Sequence, residues 1–175
     1  MFSTLFFTSV ILVLSVLVDN ESGVLQRIAS LFSRRSYNIE SLTVSETEDP
    51  AFSRMTIVTY TEPENFRQIK RQLLKLEIVK KVAELTPENS VSAELLLVKV
   101  SAQGIEKKNA LLEVNRKYGA RIVDVTLESF TLEMTGVGES VDDFINAVSE
   151  FGIIELARTG VTSLERGAGS FCEDI

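Results

Sequence analysis

One order of apolar patterns occurs twice along the 175-residue chain, and this repeat restricts the fold more than any other feature. In each half, an apolar run typical of a buried strand precedes an amphipathic helix, two further strands, a second helix and a last strand. The repeated order βαββαβ predicts an α+β protein of two ferredoxin-like sandwich domains, each with four antiparallel strands and two helices on one face. The two halves barely match in sequence, so the repeat is one of architecture.

The uncharged stretch at residues 1–18 requires a choice between a strand and a membrane or targeting segment. Its later part, residues 11–18, is rich in β-branched residues and runs into a turn signal at residues 19–23. The first basic residue is Arg27, so the positive region that opens a signal peptide is missing. A buried strand is therefore favoured, and a membrane or targeting segment is the alternative.

The other patterns give the remaining elements. In the first half they predict a helix from Val24, strands at 37–46 and 53–60, a helix opened by a capping box at 61–64, and a strand at 78–85. In the second half they predict strands at 95–101, 122–125, 130–135 and from 153, with helices at 104–118 and at a capping box of Ser140 and Asp143. We expect a leader of unassigned structure, a first domain, a linker, a second domain and a tail at residues 1–10, 11–86, 87–92, 93–166 and 167–175.

Composition argues against several classes of function. The 18 Lys and Arg residues face 25 Asp and Glu residues, and a net charge of -7 does not suit a nucleic-acid binder. Histidine is absent, which removes the commonest general base and most zinc sites. Cys172 is the single cysteine, and neither Gly136–Gly138 nor Gly167–Gly169 has the spacing of a phosphate-binding loop. We therefore expect no catalytic residue, no metal and no cofactor on this chain.

The most informative segment is the turn of residues 19–25, between the first strand and the first helix. It exposes the free N–H groups at the start of that helix, which together with the helix dipole suit a small carboxylate. Asn20 offers an amide donor and an acceptor for an ammonium group, and Gly23 permits close approach to the backbone. The alternative is an ordinary capped turn in which Asn20 or Ser22 serves only its own helix, and the spacing alone favours this alternative.

Long motifs in this chain match, in order, those of one known family. They are DNESGVL at residues 19–25, RI and LF at 27–28 and 31–32, YNIESLTV at 37–44, SRMT at 53–56 and IELARTGV at 154–161. On these motifs the chain resembles the regulatory, or small, subunit of acetohydroxyacid synthase, also called acetolactate synthase. The resemblance extends over residues 11–166.

The resemblance implies a feedback device in branched-chain amino-acid biosynthesis. The family begins with an ACT domain, a ferredoxin-like module that binds amino acids at a dimer interface, and continues with a second βαββαβ domain. Its partner, the catalytic or large subunit, uses thiamine diphosphate, Mg²⁺ and FAD to condense pyruvate with pyruvate or 2-oxobutyrate. The small subunit is not an enzyme on its own. It activates the partner and confers inhibition by valine, sometimes by leucine or isoleucine.

The resemblance also implies an effector site between the ACT domains of a homodimer. One wall is expected from the turn of one chain and the other wall from the partner chain. The residues implied are Asn20, Glu21, Ser22, Gly23, Val24 and Leu25 from the first chain, with Asn38 and Ile39 from the second. The family usually has glycine before the tyrosine of strand two, whereas this chain has Ser36, which implies strain or a different exit from the helix.

Two other functions are compatible with the same fold, because ferredoxin-like sandwiches carry many functions. One is a stand-alone amino-acid-sensing ACT protein that regulates another partner. The other is a small enzyme, against which the absence of histidine argues. The expected compartment is the cytoplasm, or the plastid stroma if the source is a plant or an alga. We expect neither a nucleic acid nor a membrane among the partners.

Overall fold

A computed structural model describes residues 10–172 of the chain, so the predicted leader lies almost wholly outside the described residues. Two compact units are present. The first contains residues 10–91 and 163–172, and the second contains Ser92–Thr162. Each unit follows the order βαββαβ, and the predicted α+β class of two ferredoxin-like sandwiches is confirmed.

The first unit is built on a four-stranded antiparallel sheet. Its strand order is β2-β3-β1-β4, so β2 and β4 form the edges. The elements are β1 (Val10–Asp19), α1 (Val24–Ser33), β2 (Ser41–Glu46), β3 (Phe52–Thr61), α2 (Pro63–Leu73) and β4 (Val79–Leu85).

The second unit repeats this arrangement with a longer first strand. Its strand order is β6-β7-β5-β8, and a short strand, β9, pairs with β5 outside that path. The elements are β5 (Ser90–Ser101), α3 (Ile105–Tyr118), β6 (Arg121–Val125), β7 (Ser129–Gly136), α4 (Gly138–Ser149) and β8 (Ile153–Arg158). The strand β9 (Thr162–Glu165) follows, and its residues 163–165 belong to the first unit. No helix within residues 10–172 is long and apolar enough to cross a membrane.

Alternate side chains of β1 form the centre of the core of the first unit. Leu12, Leu14 and Val16 point to the helix side of the sheet and pack with Ile28 of α1 and Ile69 of α2. All five side chains are buried. The β-branched pattern at residues 11–18 therefore marks a central strand, and the prediction of a strand there is confirmed. The second unit has an equivalent core, formed by Leu96, Val98, Val100, Leu132 and Phe144 among others.

The end of α1 explains how the chain accommodates serine where the family usually has glycine. Ser36 has φ 56°, the left-handed conformation that glycine adopts without strain. Its N–H donates to Ser33 O at 3.1 Å, and the N–H of Tyr37 donates to Phe32 O at 3.1 Å. The rings of Phe32 and Tyr37 meet edge to face, 6.3 Å apart. These bonds and this apolar contact form a Schellman motif, so the usual helix exit is kept and Ser36 bears the strain.

The predicted start of β2 and both predicted capping boxes are wrong. Strand β2 begins at Ser41, because the segment from Tyr37 first completes the helix end. The capping box at residues 61–64 does not form: Pro63 is the first residue of α2, and Thr61 instead accepts a bond from the side-chain amide of Asn65 at 3.2 Å. The second capping box is also absent, because α4 begins two residues before Ser140, whose hydroxyl donates to a backbone carbonyl.

Strand β5 begins at Ser90, five residues before the predicted start, within the stretch predicted as a linker. Its first residues alternate small polar and apolar side chains and carry little hydrophobic signal. Strand β9 was not predicted, because four residues are too few to establish a period.

Candidate functional site

The candidate site is the start of α1, where backbone donors face outward. Gly23 precedes the helix with φ 86°, and no side chain caps the helix by a hydrogen bond. The first intrahelical bond runs from Arg27 N–H to Gly23 O at 3.1 Å. The N–H groups of the first three helical residues therefore have no intrahelical acceptor. The first turn contains no acidic side chain, so the positive end of the helix dipole is not neutralised there.

Asn20 fixes the position of this turn relative to the sheet. Its backbone N–H donates to Ala51 O at 2.8 Å, and its Nδ2 donates to Pro50 O at 3.0 Å. Its Oδ1 accepts a bond from Ser53 Oγ at 2.9 Å. Asn20 therefore joins the start of α1 to the β2–β3 turn, and one lone pair of its Oδ1 remains for a further donor.

Sequence reasoning missed these partners of Asn20. Pro50 and Ser53 lie 30 and 33 residues further along the chain, and only the pairing of β1 with β3 brings them to Asn20. The strands predicted at 37–46 and 53–60 require a loop between them, but the sequence gave no indication of what that loop would contact. Asp19, at the end of β1, forms an ion pair with Lys80 at 2.8 Å, which further anchors the same end of the sheet.

The predicted site residues of the turn differ in exposure. Glu21, Ser22 and Gly23 are exposed, as is Leu25, whose side chain is 47% exposed. Val24 is buried in the core, so only its backbone N–H faces the candidate site. The exposed apolar surface of Leu25 beside free N–H donors gives the site both a polar and an apolar side.

The second group of predicted residues lies at the other end of α1. Asn38 is exposed, and its Nδ2 donates to Glu40 Oε1. Its backbone carbonyl oxygen accepts a hydrogen bond from Thr59 Oγ1 at 2.5 Å. The neighbouring Ile39 packs against the core. A helix of ten residues, about 15 Å long, separates these residues from Gly23. One chain alone therefore does not bring the two groups together.

No metal centre accompanies the turn. Within residues 10–172, no group of three or more His, Cys, Asp or Glu side chains is arranged to hold a metal ion. The site consists of backbone donors, one amide and apolar surface, which suits recognition of a small zwitterion.

The second unit holds the IELARTGV motif in a defined structural role. Arg158 of β8 forms a fork with Glu94 of β5, with Nε–Oε1 and Nη2–Oε2 distances of 2.7 Å each. Its Nη1 contacts Asp142 Oδ1 of α4, also at 2.7 Å. Hydrogen bonding to Glu94 is the main cause that raises the pKa of Arg158 above its ordinary value. Thr159 adds a backbone bond to Leu95 at 3.0 Å, so this motif fixes β8 against β5.

Comparison with known proteins identifies both units. Residues 14–81 match the family model of the AHAS small subunit-like ACT domain, and residues 93–167 match that of the small subunit of acetolactate synthase. The acetolactate synthase small subunit of Mycolicibacterium smegmatis is 46% identical over 154 residues, covering 88% of this chain and 90% of that protein. The isozyme 3 small subunit of Escherichia coli is 43% identical over 159 residues, with coverages of 89% and 95%.

A solved structure supports the same assignment. The crystal structure of the acetolactate synthase small subunit from Thermotoga maritima superimposes with a TM-score of 0.83 at 35% sequence identity. The match covers 91% of this chain and 99% of that one. Both family models, the curated relatives and this structure agree with the resemblance seen in the motifs. The chain therefore belongs to the family of acetolactate synthase small subunits.

Proposed function

We propose that this chain is the regulatory subunit of acetolactate synthase in branched-chain amino-acid biosynthesis, and that valine is its feedback effector. The names of its relatives imply a large catalytic subunit as partner, which this chain activates and makes sensitive to inhibition. The observation that carries the proposal is the uncapped start of α1 behind a left-handed glycine, in a unit that matches an ACT domain.

The effector carboxylate binds at the free N–H groups of the first turn of α1. The positive end of the helix dipole adds to the attraction, and no acidic side chain in that turn opposes it. The unused lone pair of Asn20 Oδ1 accepts a bond from the effector ammonium. Leu25 supplies apolar surface for a branched side chain. Polar groups thereby orient the zwitterion, while the apolar side selects among amino acids.

A second copy of the chain completes the site through β2. This strand is an edge of the first sheet, and its last residue, Glu46, has Oε2 3.4 Å from Nδ2 of Asn20. Antiparallel pairing of β2 with its own copy sets the beginning of one strand beside the end of the other. Asn38 and Ile39 precede β2 closely, so the partner's Asn38 and Ile39 come to the side of the site where Asn20 lies.

Catalysis belongs to the large subunit in this proposal. That subunit carries thiamine diphosphate, Mg²⁺ and FAD, and the pair acts in the cytoplasm, or in the plastid stroma of a plant or alga. The sequence of the small subunit supports this division. It has no histidine and no glycine-rich loop of the spacing that binds nucleotide phosphates.

Reconstitution tests the proposal. We expect no acetolactate from the purified chain with pyruvate and thiamine diphosphate, and a several-fold gain in rate when the chain is added to the large subunit. Calorimetric titration of the chain with valine, leucine and isoleucine should give saturable binding of at least one of them. Turnover that survives repurification of the isolated chain would refute the non-catalytic role. Absence of any effect on the large subunit would indicate regulation of another protein.

A further inference from the structure

The segment that follows β9 belongs to the first unit and packs on its sheet. Phe171 follows a run of glycine and serine, yet its side chain is only 4% exposed. The ring centroid lies 5.0 Å from Arg54 Cζ and 5.1 Å from Lys81 Nζ. Two cations at the ring of a buried aromatic side chain constitute a specific attachment, because each is attracted to the ring quadrupole.

This attachment lies on the face of the sheet opposite the helices. Arg54 of β3 and Lys81 of β4 are the cross-strand neighbours of Leu17 of β1. Leu17 points away from the helix-side core, which contains Val16 and Val18, yet its exposure is 0%. Phe171 therefore lies at this row of three side chains, on the face of the sheet that carries no helix.

A second attachment joins the same segment to the β2–β3 turn. Ser170 Oγ donates to Glu48 Oε1 at 3.3 Å. The pKa of Glu48 is lowered, first by a bond from its own backbone and then by bonds from Cys172 and Ser170. Residues 170–172 thus hold the turn by hydrogen bonds to Glu48, while the ring of Phe171 holds the segment to β3 and β4.

The β2–β3 turn is also the turn that Asn20 contacts. Ala51 O accepts the backbone N–H of Asn20, and Pro50 O accepts its side-chain amide. A continuous series of contacts therefore leads from residues 170–172 through the turn at residues 47–51 to the start of the candidate effector site.

We propose that Ser170 and Phe171 are positioning residues for the effector site: by holding the β2–β3 turn they fix Asn20 and so set the affinity of the site for its amino acid. The identity of the amino acid rests on the proposed function, whereas the positioning of Asn20 does not. Residues 170–172 lie beyond residues 14–81 and 93–167, which match the family models.

The test combines hydrogen exchange with calorimetry on the full chain. Phe171→Ala should accelerate exchange of the Asn20 backbone N–H about tenfold, because the acceptor at Ala51 is held less firmly. The dissociation constant for valine should rise about 3- to 10-fold. Phe171→Tyr keeps the aromatic ring, so its exchange rate at Asn20 and its dissociation constant for valine should stay within about twofold of the wild-type values.

A second pair of variants controls for loss of folding. Ser170→Ala removes only the bond to Glu48 and should cause a smaller change of the same kind, about twofold in valine affinity. Ser149→Ala is the matched control, since its hydroxyl donates only to the carbonyl of Asn146 in the second unit. It should leave Asn20 exchange and valine affinity unchanged.

A double-mutant cycle separates positioning from general stability. In an Asn20→Ala background, Phe171→Ala should cause a clearly smaller further loss of valine affinity, because the side-chain bonds of Asn20 to the turn are already gone and only its backbone bond to Ala51 remains. Additive losses, or unchanged Asn20 exchange in folded Phe171→Ala, would overturn the proposal. If the wild type binds none of the three branched-chain amino acids, the proposed function fails, while the exchange of Asn20 still decides the positioning role.

Discussion

At Gly23, both the backbone conformation and the chemistry of the site favour glycine. Its φ of 86° is left-handed, and a Cβ built there would meet no atom within 4 Å. A substituted side chain therefore brings backbone strain but no clash, and Asp and Asn bear that strain better than most residues. This makes the position suitable for a test of charge alone, because the two substitutions have nearly the same shape.

Gly23→Asp should abolish most of the valine sensitivity while leaving activation of the large subunit. Two like charges about 4 Å apart at an effective dielectric of ~20 repel by about 4 kcal/mol, and screening at this exposed turn reduces that figure. We therefore expect the valine concentration at half-maximal inhibition to rise at least about thirtyfold. Gly23→Asn should raise it less than about tenfold. A dose-response curve on the reconstituted enzyme measures both, and equal midpoints for Gly23→Asp and wild type would contradict the site.

Ser36 is a second residue at which the direction of the change in stability on substitution can be predicted. It bears left-handed strain that glycine would not, at the C′ position of a Schellman motif. Ser36→Gly should raise the free energy of unfolding by about 0.5–1 kcal/mol, after allowing for the greater entropy of glycine in the unfolded chain. Ser33→Gly, within α1, should lower it by a similar amount. Urea unfolding measures both, and a loss of stability in Ser36→Gly would contradict the assignment of strain.

Among the elements, β8 depends most on one ion pair. Arg158 connects it to the buried Glu94 of β5, which is 4% exposed, and to Asp142 of α4. Arg158→Met leaves the Glu94 carboxylate buried without its partner. We expect the free energy of unfolding to fall by about 2–4 kcal/mol, less than for a wholly buried pair because Arg158 is partly exposed. The matched control is Arg121→Met, since Arg121 binds Glu133 on the surface and should cost under about 1 kcal/mol.

A second substitution tests whether the unpaired Glu94 carboxylate causes this loss of stability. Replacing Glu94 by Gln in the Arg158→Met variant should recover part of the lost stability, because no buried charge is then left without its partner. Urea unfolding of the single and double variants measures this recovery, and a double variant no more stable than Arg158→Met would contradict the argument.

The sequence predicted elements well where burial is periodic and poorly where contacts decide the bounds. The face of α1 and the alternation in β1 could be read directly, since each follows from one period. The early start of β5 could not be predicted in this way. Glu94 in that part of the strand is polar, and it is buried because it pairs with Arg158, more than sixty residues away along the chain. The same limit applies to the candidate site. Its turn was predicted from local residues, but the bonds of Asn20 to the β2–β3 turn depend on strand pairing.

For the whole molecule, the edge strand β2 leads to a prediction about assembly. Edge strands tend to pair with further chains, and β2 contains no proline or lysine that would prevent it. Val44, near the middle of β2, is 44% exposed although apolar. Pairing of two copies about a twofold axis continues the sheet and covers this side chain. We expect a homodimer at micromolar concentration, joined through the first units.

Val44→Lys should convert this dimer into a folded monomer. Near the centre of a symmetric antiparallel pair, the introduced charge lies close to its own copy, and like charges opposite each other destabilise the pairing. Because one chain alone does not bring the Asn38 region to the turn of Asn20, the monomer should also bind valine at least about tenfold more weakly. Leu74→Lys is the matched control, since Leu74 is 47% exposed at the C-terminal end of α2 and not on β2. Light scattering and calorimetry measure both variants. A wild-type monomer at micromolar concentration, with and without valine, would refute the assembly, and a monomeric Val44→Lys with unchanged affinity would show that the effector site lies within one chain.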